Sequence, residues 1–370
     1  MADKQKIIAA LRLLGTPRIG VSSYMKLVRE YGSEEAALQM LARMGKYAPA
    51  PVEQAEDVWR YCADNHINIL HYADSAYPQA LKSLDDFPPL LYAKGRIDLL
   101  NPLKSAAIVG ARSASINGCK IASSIAAELA SSGVCIISGM ARGIDTASHS
   151  GALSVEKGAT VAVLGTGVDV IYPPENVEIY HRLSEQGCII SEFPLGTGGI
   201  AGNFPRRNRI IAALSQVVLV VEAGLKSGSL ITADCAVKQG KVLFAVPGTP
   251  DASKSSGANY LIKKGAYLAE DAADILPYIK EMRPSSPAQC ATPQQKVLVF
   301  ENNDVNFSDN EDNDIASDLL SCITLDGVSI DDLIRLTKRS FTDVSSEILE
   351  LEIQGKVQRR SGNRVALVKR

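Results

Sequence analysis

From Lys104 onward the chain repeats one pattern: a short run rich in Val, Ile and Leu, a glycine-bearing loop, then an Ala-rich helical stretch. The apolar runs fall at 106–109, 134–138, 160–164, 188–191, 216–221 and 241–246. Between the first two, Ile121, Ile125 and Leu129 share one face at helical spacing, and Gly133 stands where a helix should stop. Continuous apolar strands separated by amphipathic helices predict a mostly parallel sheet covered on both faces, an α/β, extended Rossmann-like fold. In such sheets ligands sit where the loops converge, at the carboxyl ends of the strands.

The flanks read differently. From Lys4 to about Tyr72 the spacing is helical, with Ile7, Ile8, Leu11 and Leu14 on one face and Pro17 and Gly20 breaking it before a second helix. Two helices around a Gly-containing turn resemble a helix-hairpin-helix or SAM-like unit, which can present backbone N–H groups to phosphate; small packing units look the same. Residues 72–95 carry prolines and no sustained period, and read as a connector. After Met282 comes a Pro/Ser-bearing segment, then residues 301–314 with six acids and no base, expected as a solvated linker.

The C-terminal stretch predicts a winged helix. Ile315, Leu319 and Ile323 mark a first helix, and Ser329 with Asp332 starts a second in the manner of a capping box. Val344, Ile348 and Leu351 line a third, and a hairpin turns at 361–363. The stretch 353–370 has six bases and no acid, whereas Asp343, Glu347, Glu350 and Glu352 on the third helix weaken docking in a DNA groove, so docking to DNA and docking to protein both stay open. The expected domains are therefore 1–75 (helical), 76–282 (sheet), 283–314 (linker) and 315–370 (winged helix).

Length and composition change this picture in two ways. With 370 residues, 46% apolar and 22% charged, the chain has material for two or three globular domains. Thirty-nine Lys and Arg against 41 Asp and Glu exclude binding of nucleic acid or membrane by bulk positive charge, leaving only local patches. No apolar run is long enough to span a membrane, the N-terminus lacks a signal-peptide profile, and the seven scattered cysteines form no C-x-x-C. A cytoplasmic protein with free thiols and no metal site is expected.

The strand ends hold the candidate chemistry. After the first strand come Gly110 and Arg112; after the second, Ser138, Gly139, Arg142, Gly143 and Asp145 lead into a helix. Residues 203–211 bring Arg206, Arg207, Asn208 and Arg209, and the loop after 216–221 brings Lys226, Ser227, Gly228 and Ser229. Glycines, helix N-termini, hydroxyls and bases on several loops of one sheet edge point to a polyanion. No G-x-x-x-x-G-K-[ST] exists, and neither Gly110 nor the pair Gly165 and Gly167 completes G-x-G-x-x-G, so a nucleoside triphosphate or dinucleotide cofactor is not expected. A run of phosphates suits the spread of bases better, with Tyr172 and Phe204 beside the track for stacking. Aromatics are only 5% of the chain, so backbone contacts should dominate, giving salt-sensitive binding with little sequence preference.

In this order, the stretches 108–122, 138–153, 162–173, 204–215, 220–236 and 246–266 resemble the DNA-processing protein A (DprA/Smf) family, densely over 76–272. The resemblance implies a dimeric protein that binds single-stranded DNA on an extended Rossmann domain, protects incoming DNA in natural transformation and helps load the RecA recombinase. It also implies phosphate contacts by Arg112, the 138–145 loop, Arg207, Asn208, Arg209 and the 226–229 loop. Two positions depart by losing positive charge: Pro174 and Glu175 follow Pro173 where a base is frequent, and Ser150 follows His149 where Arg is frequent. Two other classes compete. One is a Rossmann-like nucleotide phosphoribohydrolase, though Cys235 stands where its glutamate would be. The other is a winged-helix regulator sensing a nucleotide.

Other residues have plainer readings. Asp145 and His149, four apart on one helix, could form an acid–base pair, but a helix-start acid and a packed imidazole explain them as well. Some of Arg206, Arg207 and Arg209 must point away from any common ligand, with Glu192 or Glu222 as partners. Glu222 itself, at a strand end, is expected to satisfy a neighbouring loop.

Overall fold

A computed structural model describes residues 4–45, 48–281, 327–337, 341–360 and 364–368, together with Leu319 and Ile323. Four helices open the chain: α1 (Lys4–Gly15), α2 (Val21–Tyr31), α3 (Glu34–Met44) and α4 (Val52–Asp64). Ser33 caps α3 by accepting from the Ala36 N–H, and Gly32 ends α2 in the left-handed region at φ 85°. Ile7, Ala10, Leu13, Tyr24, Leu38 and Leu41 form their buried core.

The chain then enters a nine-stranded sheet. Its elements are β1 (Ile67–His71), β2 (Leu90–Gly95), β3 (Ser105–Val109), α5 (Ile116–Ser131), β4 (Cys135–Ser138), α6 (Ile144–Leu153), β5 (Thr160–Val163), α7 (Val177–Gln186) and β6 (Cys188–Ser191). There follow α8 (Asn203–Leu214), β7 (Val217–Val220), α9 (Ser229–Lys238), β8 (Val242–Ala245), α10 (Ser256–Lys264), β9 (Tyr267–Leu268) and α11 (Ala272–Ile275). The spatial order is β1-β2-β6-β5-β4-β3-β7-β8-β9. From β6 to β9 all pairings are parallel; β2 adds antiparallel to β6, and β1 antiparallel to β2.

Alternation along the strands feeds two cores. Ala107, Val109, Ile137, Val161, Val163, Val218 and Val220 pack with Ile210, Ala213, Leu230 and Ala233 of α8 and α9. Ala106, Ile108, Ile136, Val217 and Leu219 pack with Ala122, Ile125 and Leu129 of α5 and Ile275 of α11. Chain order departs outward from β3 through β4, β5 and β6, then returns by α8 to β7 on the other side of β3. That reversal is the topological switch point, and the carboxyl ends of β3 to β8 lie on one rim.

All six strands expected from the apolar runs are present. Three others were not read from the pattern. The helical reading to Tyr72 is corrected at 67–71, which is β1; the connector at 72–95 contains β2; and β9 is a two-residue edge. The sheet therefore begins ahead of the boundary expected at residue 75.

A buried polar cluster fastens the helical unit to β1. Tyr24 OH donates to Glu34 Oε1 at 2.7 Å, and His71 Nε2–H donates to the same oxygen at 2.9 Å. The Ala73 N–H donates to His71 Nδ1 and so selects that tautomer. Burial alone would raise the Glu34 carboxyl, but the hydrogen bonds from His71 and Tyr24 outweigh it and bring it down to about 2.

The C-terminal unit shows β10 (Val328–Ser329), α12 (Ile330–Thr337), α13 (Phe341–Ile353), β11 (Val357–Arg360) and β12 (Arg364–Leu367), with sheet order β10-β12-β11. Ser329 Oγ accepts from the Asp332 N–H, the cap expected there. The linker at 283–314 and the first helix expected near Ile315 lie outside the described residues. So do Cys290 and Cys322; Cys62, Cys135 and Cys188 are free and buried, which raises their thiol pKa values. Among the described residues no helix is long and apolar enough to cross a membrane, and no group of three or more His, Cys, Asp and Glu could hold a metal ion.

Candidate nucleic-acid interface

A pocket opens on the rim across the ends of β3, β4 and β5. It is lined by Arg112, Gly139, Met140, Ala141, Arg142, Leu164, Gly165, Thr166, Tyr172, Pro173 and Phe204. Tyr172 and Phe204 lie 5.4 Å apart, ring centre to ring centre, and the Arg112 guanidinium sits 5.0 Å over the Phe204 ring. Phe204 is buried beneath Arg112 and Tyr172, so the opening offers two cations and the partly exposed Tyr172 ring, which can hold a phosphate with a flat group beside it.

The β4–α6 loop is held from beneath. Arg207 Nη1–H donates to Gly139 O at 2.6 Å and also to Val163 O. Asn176 Nδ2–H donates to Met140 O at 2.8 Å, and Thr146 Oγ1–H to Ala141 O at 2.7 Å. The Asp145 carboxylate accepts from the Ala141 N–H at 3.3 Å. Met140 and Gly143 both have positive φ, 57° and 70°. With its carbonyls fixed inward, the loop turns Arg142 out to the rim. There Arg142 meets Glu175 at 3.6 Å, both side chains partly exposed.

Several expected contacts are corrected by burial. Arg207 is only 4% exposed, and its guanidinium serves carbonyl oxygens beneath the loops. Burial lowers its pKa to about 10, so it stays charged at neutral pH and adds a positive field from below. Arg209 points to the far side of α8, pairing with Asp86 at 2.8 Å and Glu192 at 2.8 Å; Arg206 shares Glu192 at 3.2 Å. Ser138 Oγ–H donates to Ile108 O, and Asp145 is buried beneath the loop, where desolvation raises its pKa. Gly110 and Gly143 serve packing: an added Cβ would strike Ile144 at the first and the carbonyls of Ala111 and Arg112 at the second. Ser227 and Ser229 are buried and hydrogen-bonded to each other at 2.9 Å. Of the expected set, Arg112, Gly139, Arg142, Tyr172 and Phe204 converge on the pocket, and Lys226 and Gly228 are exposed on the next loop.

Asn208 joins the two regions by donating to Gly228 O at 3.3 Å. Glu222 satisfies a loop, as expected: the Ser115 N–H and Oγ–H donate to its carboxylate at 2.8 and 2.5 Å. His149 is packed, its Nδ1–H donating to Thr160 Oγ1, whose own proton goes to Ile136 O. Burial lowers its pKa to about 3, which keeps it neutral.

Comparison with known proteins decides the family. The family model described as DNA recombination-mediator protein A matches residues 68–280, flanked by a DprA-like N-terminal HHH domain at 4–59 and a DprA winged helix domain at 307–363. The chain belongs to the DNA recombination-mediator protein A family. Protein Smf of Escherichia coli K12 is 37% identical over 303 residues, 80% of this chain and 76% of that protein. DNA processing protein DprA of Streptococcus pneumoniae R6 is 41% identical over 203 residues, 55% of this chain and 71% of that one. An X-ray structure of DprA from Streptococcus pneumoniae superposes with a TM-score of 0.61 at 32% identity, covering 76% of this chain and 99% of its own. The DprA structure from Helicobacter pylori, described for its single-stranded DNA binding mode, gives 0.52 at 32%, covering 57% and 94%.

Within this DprA-family frame the pocket adds residues that strand-end reading passed over. Leu164, Gly165, Thr166 and Pro173 line it beside Met140 and Ala141 of the 138–145 loop. Gly165 was visible as a strand-end glycine, and its open Cβ side is filled by the Phe204 ring. Asn176, which holds Met140 O, carried no signal in the sequence beyond lying near Tyr172.

Proposed function

We propose that this protein binds single-stranded DNA along the rim formed by the ends of β3, β4, β5 and β7, as a binding protein and not a catalyst. The observation that carries the reading is the pocket itself: Arg112 and Arg142 flank Tyr172 and Phe204 across the ends of three adjacent parallel strands. Phosphates pair with the two guanidiniums, and the Tyr172 ring, backed by buried Phe204, takes an unpaired base of the kind a duplex keeps stacked inside. Lys226 extends the track past the switch point. The Helicobacter pylori neighbour and the family match support this choice of ligand.

In the cell the same grip serves recombination: a cytoplasmic homodimer shields incoming single strands and passes them to a RecA-type recombinase. The hydrolase alternative places its glutamate where Cys235 stands on α9, and Glu222 is engaged by Ser115. The test is affinity for an oligothymidine and for a duplex of equal length at two salt concentrations. The proposal expects tighter binding of the single strand, weakening steeply with salt; equal affinity for the two, or indifference to salt, overturns it.

A further inference from the structure

The structure assigns Arg207 and Asn208 to a fastener that sets the spacing between the two halves of the rim, without touching the strand. This rests on the proposed single-strand binding. The two side chains are adjacent on α8 and bonded to each other, Arg207 Nε–H donating to Asn208 Oδ1 at 3.1 Å. From that junction the pair reaches three strand-end segments. Arg207 donates to Gly139 O after β4 and to Val163 O at the end of β5. Asn208 donates to Gly228 O in the loop that follows β7. β4 and β5 lie on one side of β3, and β7 lies on the other. One continuous hydrogen-bonded bridge thus crosses the switch point beneath the ligand face.

The local packing is built around this bridge. Phe204, Arg207, Asn208 and Ile211 are all buried, at the i, i+3, i+4, i+7 spacing of a single helix face. Gly139 is required above the guanidinium: a Cβ there would fall 2.5 Å from both Nη1 and Nη2. Only a planar, multidentate donor meets two carbonyls and an amide oxygen together, so lysine cannot replace Arg207 although it keeps the charge. A strand that engages Arg112 and Arg142 on one side and Lys226 on the other needs those groups at a fixed separation, and preorganised loops avoid the cost of ordering them on binding.

The test uses the full-length chain, a labelled oligothymidine, and the variants Arg207→Lys, Asn208→Ala, Lys226→Ala and Asn208→Ala/Lys226→Ala. Arg207→Lys and Asn208→Ala are expected to weaken binding about tenfold, the scale of one lost charge-assisted hydrogen bond. The slope of log K against log salt stays at the wild-type value, because no phosphate contact is removed. A direct contact would lower its magnitude by about 0.7. Lys226→Ala weakens binding in the wild-type background and costs less on top of Asn208→Ala, where the misplaced Lys226 contact is weakened but still made, the non-additivity that a coupling element produces. Hydrogen exchange without DNA speeds up in both the 139–142 and 225–229 segments of Asn208→Ala.

Wild-type affinity for Arg207→Lys, a reduced salt slope, or additive effects of Asn208→Ala and Lys226→Ala overturn the assignment. If Arg207→Lys does not fold, Asn208→Ala and the cycle still decide. If the wild-type chain binds no single strand, the function proposed above fails. The exchange experiment then stands alone, and unchanged protection of either loop in Asn208→Ala overturns the fastener.

Discussion

Glu175 is an acid placed against the pocket-lining Arg142, and its removal should tighten DNA binding. It faces Arg142 across 3.6 Å, with side chains 45% and 37% exposed, so solvent screens the pair substantially. Ion pairs of this exposure are worth about 0.2–1 kcal/mol. A phosphate that takes over Arg142 must first displace the carboxylate, so Glu175→Gln should raise affinity by that amount, about 1.4- to 5-fold. The gain should shrink between low and physiological salt, as the Debye length falls towards about 8 Å. Fluorescence anisotropy with a labelled oligothymidine reads this directly. Glu178→Gln, three residues along and outside the pocket lining, controls for a mere change in net charge. Equal gains in both variants would mean that the effect is bulk charge. No gain, or a loss, for Glu175→Gln would refute the competition between Glu175 and phosphate for Arg142.

Other consequences concern stability and the loops. Glu34 lies below its ordinary value of 4.5, at about 2, so its stabilising contribution is complete above about pH 4.5 and is lost as pH falls towards 2. Chemical denaturation at pH 6 and pH 3 should therefore show a larger loss for wild type than for Glu34→Gln; parallel losses would contradict the buried cluster. Glu222→Ala strips the acceptor from the Ser115 N–H and hydroxyl and should cost ~1–3 kcal/mol in the same assay. An unchanged midpoint would show that this carboxylate does not tether the loop.

The parallel sheet was legible because its central strands are buried on both faces and so read as unbroken apolar runs. The missed strands lacked that mark. β1 is five residues following a helix, with one exposed position, and a short apolar run of that length fits helix or strand equally. β2 follows two prolines and ends in Lys94 and Gly95. At the site, strand-end loops identified the rim, and Arg112, Arg142, Tyr172 and Phe204 did converge there. What sequence reading did not assign was which arginine of 206–209 is buried, because charge normally marks the solvent side. The signal was present in spacing: Arg207 and Asn208 follow Phe204 by three and four positions, on the face that continues to Ile211, while Arg206 and Arg209 fall on the side of Glu192. Arg207 could be recognised as buried only against that periodicity, and its partners Gly139 and Val163 are distant in sequence.

The most direct measurement is the salt dependence of oligothymidine binding by wild type and by Arg112→Ala/Arg142→Ala. If these guanidiniums seat phosphates, the double variant binds weakly to every sequence, and its log–log slope is shallower by about 1.4, two single-strand contacts' worth. Superimposable slopes and equal affinities would mean that the strand lies elsewhere on the molecule.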